Sequence, residues 1–299
     1  MMTTRQLCSL LSEYKSIDSH VHTHLCDGNA DMTVENLSVS AREKGISLVI
    51  LTPHFHKAVS DGTETLYTDT DETVLLRLRE EIDRYEKSGG NIKFLLSAEA
   101  DVLSLDGEIS LLPSKETEKA LDLISPTLNY HPLLPLRFVK LTYGKHVDAL
   151  HESGEYKEAA DRVGGIEAVL ETAYKTQINA VKNSIYPTML GHFFMSVSAH
   201  PTVNNCFGAR QIHLDLMKRM TRETVNVCKE KCAFIDLTGV HLQPSESAET
   251  FTERNGFLTE LHRFTVKACL ENGVTFNYGS DAHSLGAIAS ARSYYEKLI

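Results

Sequence analysis

The run Ser16-Ile17-Asp18-Ser19-His20-Val21-His22, followed by Thr23, reads as a short β-strand whose polar end carries two imidazoles. Side chains alternate along a strand, so His20 and His22 point the same way and make a ready pair of metal ligands. Alone, a His-x-His is a weak signal, because two polar residues near a strand end would read the same. Outward from this run, apolar or β-rich stretches recur at 46–53, 91–99, 121–129, 187–192, 232–239 and 274–280. Between them lie longer stretches with helical spacing, near 70–87, 155–183, 211–230, 251–271 and 285–298. Thr33 is placed to cap a further helix carrying Val34, Leu37 and Ala41 on one side, and Gly45 to end it. Only the third connection is weakly helical: the DGEI at 106–109 predicts a turn or hairpin, followed by a short helix around 114–120. Seven β–α units favour a parallel sheet, and a barrel over an open sheet. With no internal repeat or Pro/Ser-rich linker, residues 1–299 read as one α/β domain, positions 1–15 forming an N-terminal extension.

Composition narrows the function. The 299 residues are 42% hydrophobic and 23% charged, the balance of a globular protein. Thirty Lys and Arg against forty Asp and Glu give a formal charge of −10, which argues against a nucleic-acid partner held along its phosphates. Six scattered cysteines with no Cys-x-x-Cys pair, no membrane-length apolar run and no secretory leader predict a cytoplasmic protein with reduced thiols. The fourteen histidines are the compositional feature that points to chemistry.

Those histidines recur at one end of the strands. The second strand runs into Thr52-Pro53-His54, the third into Glu99-Ala100-Asp101, and the fourth into Asn129-Tyr130-His131. The fifth ends at Gly191-His192 and the last at Gly279-Ser280-Asp281-Ala282-His283. In a parallel barrel all C-terminal strand ends share one rim, where barrel enzymes place their sites. With Asp27, the candidate metal ligands are His20, His22, Asp27, His54, Glu99, His131, His192, Asp281 and His283. Nine N and O ligands exceed one tetrahedral zinc and suit a cluster of two or three divalent ions, with Glu99 able to bridge two of them.

DSHVHTHLCDG at 18–28, LTPHF at 51–55, SAEADVLSLDGEI at 97–109, LDLISPTLNYH at 121–131, LGH at 190–192 and GSDAHS at 279–284 together resemble the polymerase and histidinol phosphatase (PHP) superfamily of metal-dependent phosphoesterases. The opening His-x-His with its following Asp-Gly and the closing GSDAH are the specific pieces. The chain is similar in length and organisation to the bacterial histidinol-phosphate phosphatase branch. That resemblance implies a distorted (β/α)7 TIM-like barrel with three divalent metal ions, Zn, Fe or Mn. It implies His20, His22, Glu99 and Asp281 at the first ion, Glu99, His131 and His192 at the second, and Asp27, His54 and His283 at the third. Asp27 stands where the branch often has histidine, an alternative the wider superfamily also shows. Glu99, Asp281 and His283 are the implied catalytic residues. The implied reaction is hydrolysis of a small phosphate monoester, L-histidinol phosphate first, in histidine biosynthesis, through a hydroxide shared by the ions around Glu99.

Alternatives within the superfamily are phosphatases of another small metabolite or of phosphotyrosine, and nucleases of small substrates. A non-catalytic metal-stabilised barrel is a reading from another class. Amidohydrolases also begin with His-x-His, but they carry a strand-four lysine where this chain has His131. Phosphate needs a fixed cation, for which Arg137, Lys140 and Arg210 are the candidates by position. Asp236 and Thr238 are candidates for the organic part of the substrate, and His241 for the proton donor. His24 and His56 read as loop or supporting residues, Asp101 as support for the third strand's loop, and His146, His151, His213 and His262 as surface residues.

Overall fold

The computed structural model describes residues 3–136, 154–191, 193, 199–200, 203–204, 211–238, 247–254, 256–290 and 292–298. Its strands are β1 (Ile17–Val21), β2 (Leu48–Leu51), β3 (His54–Phe55), β4 (Val59–Ser60), β5 (Thr65–Leu66), β6 (Lys93–Leu96) and β7 (Glu99–Asp101). They continue with β8 (Ser125–Thr127), β9 (Met189–Leu190), β10 (Ala199–His200), β11 (Val203–Asn204), β12 (Phe234–Asp236) and β13 (Phe276–Asn277). Each of the seven expected runs contains a strand. Pro53, which cannot donate a ladder hydrogen bond, separates β2 from β3.

Pairing along the main sheet is parallel throughout. β1, β2 and β6 form one group, β3, β7 and β8 a second, and β9, β12 and β13 a third. A parallel bridge from Ile124 to Thr188 links the second group to the third. The third returns to the first through the Val21–Ala282 bridge and the hydrogen bond donated by Ser19 N–H to the Tyr278 carbonyl at 3.1 Å. Alternation sorts the apolar side chains: Val49 and Leu51 pack with Leu37, Leu78 and Ile82 of the outer helices, while Leu48 and Ile50 face the other way.

Near the start of the chain lies a capped helix. Thr3 and Gln6 form a capping box for the helix Thr4–Glu13. That helix sends Leu7 and Leu11 into a cluster with Leu48, Ile50, Leu95, Leu123, Met189 and Phe234. Five strand regions thus converge on two leucines, each worth about 2 kcal/mol when buried.

Helices fill the connections at Val34–Glu43, Thr73–Lys87, Lys115–Ala120, Glu155–Arg162, Ile166–Asn183, Leu214–Lys231, Ala248–Arg254 and Gly256–Asn272. Thr33 caps the first through a bond from Asn36 N–H, and Gly45 leaves it at φ +70°. The turn at 106–109 is present, Val102 pairing antiparallel with Ile109. The expected helix over 285–298 is reduced to a 3-10 turn, Leu285–Ala287, and the short helix Arg292–Tyr295. Between them Ala289 sits at φ +55° with its N–H bound to Asp18, which breaks the helical path. Among the described residues no helix is long and apolar enough to cross a membrane.

Two histidines expected on the surface are buried, His213 and His262. The helical spacing that suggested solvent places them against neighbouring elements, and His262 Nδ1 lies 2.8 Å from the Tyr294 hydroxyl. Burial pushes His262 down to about 3. An unfolded imidazole titrates near about 6.5, so in this window the unfolded chain binds more protons. This contribution is fully present above the unfolded value and is lost as pH falls. Between pH 7 and pH 5 it amounts to about 2 kcal/mol. In urea unfolding at these two pH values, His262→Gln is expected to remove most of that loss. Equal pH dependence in variant and wild type would overturn the assignment.

Candidate metal centre

β1 delivers His20 and His22 to one rim, both fully buried. Between Asp18 and Val21 its register against β2 slips by one residue, a bulge of the kind that re-aims side chains beside active sites. β7 supplies Glu99, also buried, and β3 begins at His54. Asp27 comes from the loop after β1, and Asp281 and His283 from the segment after β13. That last segment is held by Asp18, whose carboxylate accepts the Ser280 and Ala289 N–H groups, each at 2.9 Å. Asp281 itself lies at φ +54°, an uncommon conformation for a residue with a side chain, pinned by its N–H donating to the His20 carbonyl at 2.9 Å.

These side chains converge in two groups that share His22. One contains His22, Asp27, His54 and His283; the other contains His20, His22 and Asp281. His22 Nδ1 is 2.9 Å from Asp27 Oδ1, and its Nε2 is 2.9 Å from Asp281 Oδ1. Asp27 Oδ2 lies 2.9 Å from His54 Nε2 and 2.8 Å from His283 Nε2. Glu99 Oε2 touches both groups, 3.1 Å from His20 Nε2, 3.2 Å from His54 Nδ1 and 3.5 Å from His22 Nε2.

Several observations test whether this donor set suits a cation. Two bonds of about 2.1 Å at 90–110° separate their ligand atoms by about 3.0–3.4 Å, close to the spacings found here. Among the described residues, His22 Nδ1 and His54 Nδ1 are buried with no well-aligned hydrogen-bond partner, although a carboxylate oxygen is near each. The ion-pair partners of Asp27, Glu99 and Asp281 among the described residues are all histidines. Among the described residues, three carboxylates with neutral imidazoles leave an excess of negative charge that protons or metal ions would offset. Burial works against the charged form of His20 and His54, but the hydrogen bonds and charges of Asp236, Glu99 and Asp27 prevail, raising His20 well above its ordinary value and His54 to about 9. His283 is raised in the same way by Asp27, and Asp27 is lowered despite its burial by His22, His283 and His54. The donors fit divalent ions, whose binding would release those protons.

Other candidates are placed differently. His131, expected beside Glu99, has Nε2 3.0 Å from the Val169 carbonyl and Nδ1 accepting from Leu133 N–H at 3.1 Å. Backbone groups thus engage both ring nitrogens, and His131 belongs to neither group. Asp236, expected to touch substrate, is fully buried and lies 3.1 Å from His20 Nδ1, while Ser19 and Thr238 donate their hydroxyls to it. It fixes the His20 ring with Nε2 turned to Glu99, the supporting role carboxylates take behind metal-binding histidines. Thr238 in turn donates its hydroxyl to Asp236. A polar residue at a strand end reads identically in the two cases. His24 lies against the Met32 carbonyl and Glu81, outside both groups. His192, Arg137, Lys140, Arg210 and His241 lie outside the described residues.

No protein-family model matches the chain, and no curated protein matches it. Among solved structures, it is similar to a histidinol phosphate phosphatase from Lactococcus lactis subsp. lactis Il1403 in complex with zinc, L-histidinol and phosphate. The two share a TM-score of 0.56 and 12% identity over 95% of this chain and 94% of that one. A candidate histidinol phosphatase from Listeria monocytogenes gives a TM-score of 0.56 and 17% identity, covering 94% of this chain and 100% of that one. At these identities the likeness is one of fold.

Proposed function

We propose that the chain is a metal-dependent phosphate monoester hydrolase of the PHP type, with L-histidinol phosphate as the first substrate to test. The observation that carries this reading is the pair of ligand groups joined through His22, on a fold like that of a histidinol phosphate phosphatase. The chain of parallel pairings supports a distorted (β/α)7 barrel with these residues on its C-terminal rim, and the cysteines among the described residues, all free, agree with a reducing, cytoplasmic setting. We assign His20, His22, Glu99 and Asp281 to a first ion and Asp27, His54 and His283 to another. A third ion would need Glu99 with His192 and a reoriented His131.

When bound, divalent ions of this kind acidify water and neutralise phosphate oxygens. The protein's own contribution is positional. Glu99 is held by Asn129, whose Nδ2 donates to Oε1 at 3.1 Å, so its other oxygen faces the histidines. Asp236 orients His20, and Asp18 holds the segment bearing Asp281 and His283. Arg137, Lys140 and Arg210 are the proposed sources of a cation for the phosphate.

The test is turnover of L-histidinol phosphate and p-nitrophenyl phosphate by the purified chain. Activity should vanish with a chelator and return with Mn, Fe or Zn. Inertness toward both esters with every metal would leave the non-catalytic module as the better reading.

A further inference from the structure

Asp18 ties the segment after β13 through the N–H groups of Ser280 and Ala289, and the turn between these ties, which follows His283, is held in another way. Lys44, which follows the helix Val34–Glu43, directs its ammonium onto three carbonyls of that turn: Leu285 at 3.1 Å, Gly286 at 2.6 Å and Ile288 at 2.8 Å. Resting on the metal-dependent reading above, we infer that these carbonyls form a monovalent-cation cage filled by the chain's own Lys44, and that this internal cation positions His283 at the ion held with Asp27 and His54.

A lysine at a helix C-terminus ordinarily serves the last carbonyls of its own helix. Here it does not. Among the described residues the hydrogen-bond partners of Nζ are all carbonyl oxygens of the distant turn. Converging carbonyl oxygens are what replaces the water around a bare potassium ion, and an ammonium matches that ion in charge and closely in size. Burial pulls the Lys44 ammonium below its ordinary value, against the charges of Asp18 and Glu43, so the carbonyls stand in for water the group has given up. The cage is also braced. Ser40 donates its hydroxyl to the Leu285 carbonyl at 2.9 Å, and Arg292 Nη1 donates back to the Lys44 and Gly45 carbonyls at 3.3 and 3.5 Å.

The link to the metal centre is short. His283 stands two positions before Leu285, its carbonyl accepts Asn29 N–H at 3.0 Å, and its Nε2 lies 2.8 Å from Asp27 Oδ2. Asp281 is fixed separately, its N–H donating to the His20 carbonyl. Loss of the internal cation should therefore loosen the ion of Asp27, His54 and His283 and spare the other. A merely structural lysine would lower stability and weaken both alike.

The test is manganese titration of the full chain, read by electron paramagnetic resonance in choline, potassium or ammonium chloride at equal ionic strength. In choline, Lys44→Met should bind the ion of Asp27, His54 and His283 about tenfold more weakly, the scale of a lost supporting contact, with the other ion's affinity unchanged. Potassium or ammonium is small enough to enter the vacated cage and should restore the affinity, whereas the wild type should be indifferent to the salt. In a His54→Ala background, where that ion is already weakened, Lys44→Met should leave the remaining ion's affinity unaltered. Lys44→Gln, with a shorter and neutral donor, should show the same selective, salt-relieved loss, and it decides if Lys44→Met does not fold. Equal weakening of both ions, wild-type affinity in choline, or a loss that neither cation relieves overturns the inference. A wild type that binds manganese but hydrolyses no ester with any metal defeats the phosphatase reading alone, and the cage is still judged by its salt dependence. A wild type that binds no manganese overturns both.

Discussion

Replacing His22 by alanine is expected to empty the first ion's site, to weaken the other by releasing Asp27, and to lower phosphatase kcat/KM by at least about a thousandfold, or about 4 kcal/mol. His22 is the one residue common to the two groups. Its ring stacks on His283 with centroids 4.0 Å apart, and lies 4.6 Å from His54 and 5.3 Å from His20. Each nitrogen serves a different side, Nδ1 facing Asp27 and Nε2 facing Asp281. Truncation therefore removes a ligand of the first ion and the ring that positions Asp27 at the other, and leaves carboxylates facing one another with less to offset them. The single-group variants should behave differently. His54→Ala should weaken only the group with Asp27 and His283, and His20→Ala only the group with Asp281. Metal stoichiometry by elemental analysis, with circular dichroism to verify folding, separates these outcomes. A folded His22→Ala protein with full metal content and full activity would remove the basis of the proposed function.

The convergence behind that expectation was legible because it rests on period-two alternation and on repetition. His20 and His22 share a face by alternation, and His54, Glu99 and Asp281 recur just past strand ends. What stayed hidden depends on partners that a sequence does not mark. The acceptor that turns His131 is a backbone carbonyl of Val169, with no side-chain signature. Asp236 is polar at a strand end whether it faces a ligand or a histidine, and only the fold puts it behind His20. The Thr4–Glu13 helix does have a mark in the sequence. Leu7 and Leu11 stand four residues apart behind a Thr-x-x-Gln start, the spacing of a capped helix with one apolar face. Its packing still depends on six apolar residues brought from distant positions. The bond between His56 and Asp101 depends on the pairing of β3 with β7, which neither residue marks in the sequence.

Gly279→Ala should damage the candidate metal centre without replacing a ligand residue. Gly279 requires no positive φ, so the argument is purely one of space. A Cβ there would lie 2.5 Å from His20 Cβ and 2.6 Å from Asp236 Oδ1, and would also overlap Thr238 Oγ1. These neighbours have little freedom to retreat: Thr238 donates to Asp236, Asp236 holds His20, and all three side chains are buried. The methyl must displace the pair that aims His20 at Glu99. Overpacking of this kind costs about 1–3 kcal/mol of stability, and loss of a ligand's supporting contact weakens metal binding about 10–100-fold. Thermal unfolding of the metal-free protein reads the first effect, and metal titration of folded protein below its melting point reads the second. Gly286→Ala is the matched control, since no neighbouring atom lies within 4 Å of its added Cβ, and it should shift stability by less than about 0.5 kcal/mol. A Gly279→Ala protein that melts and binds metal like the wild type would mean that the His20–Asp236 pair is not held as tightly as its burial and hydrogen bonds require.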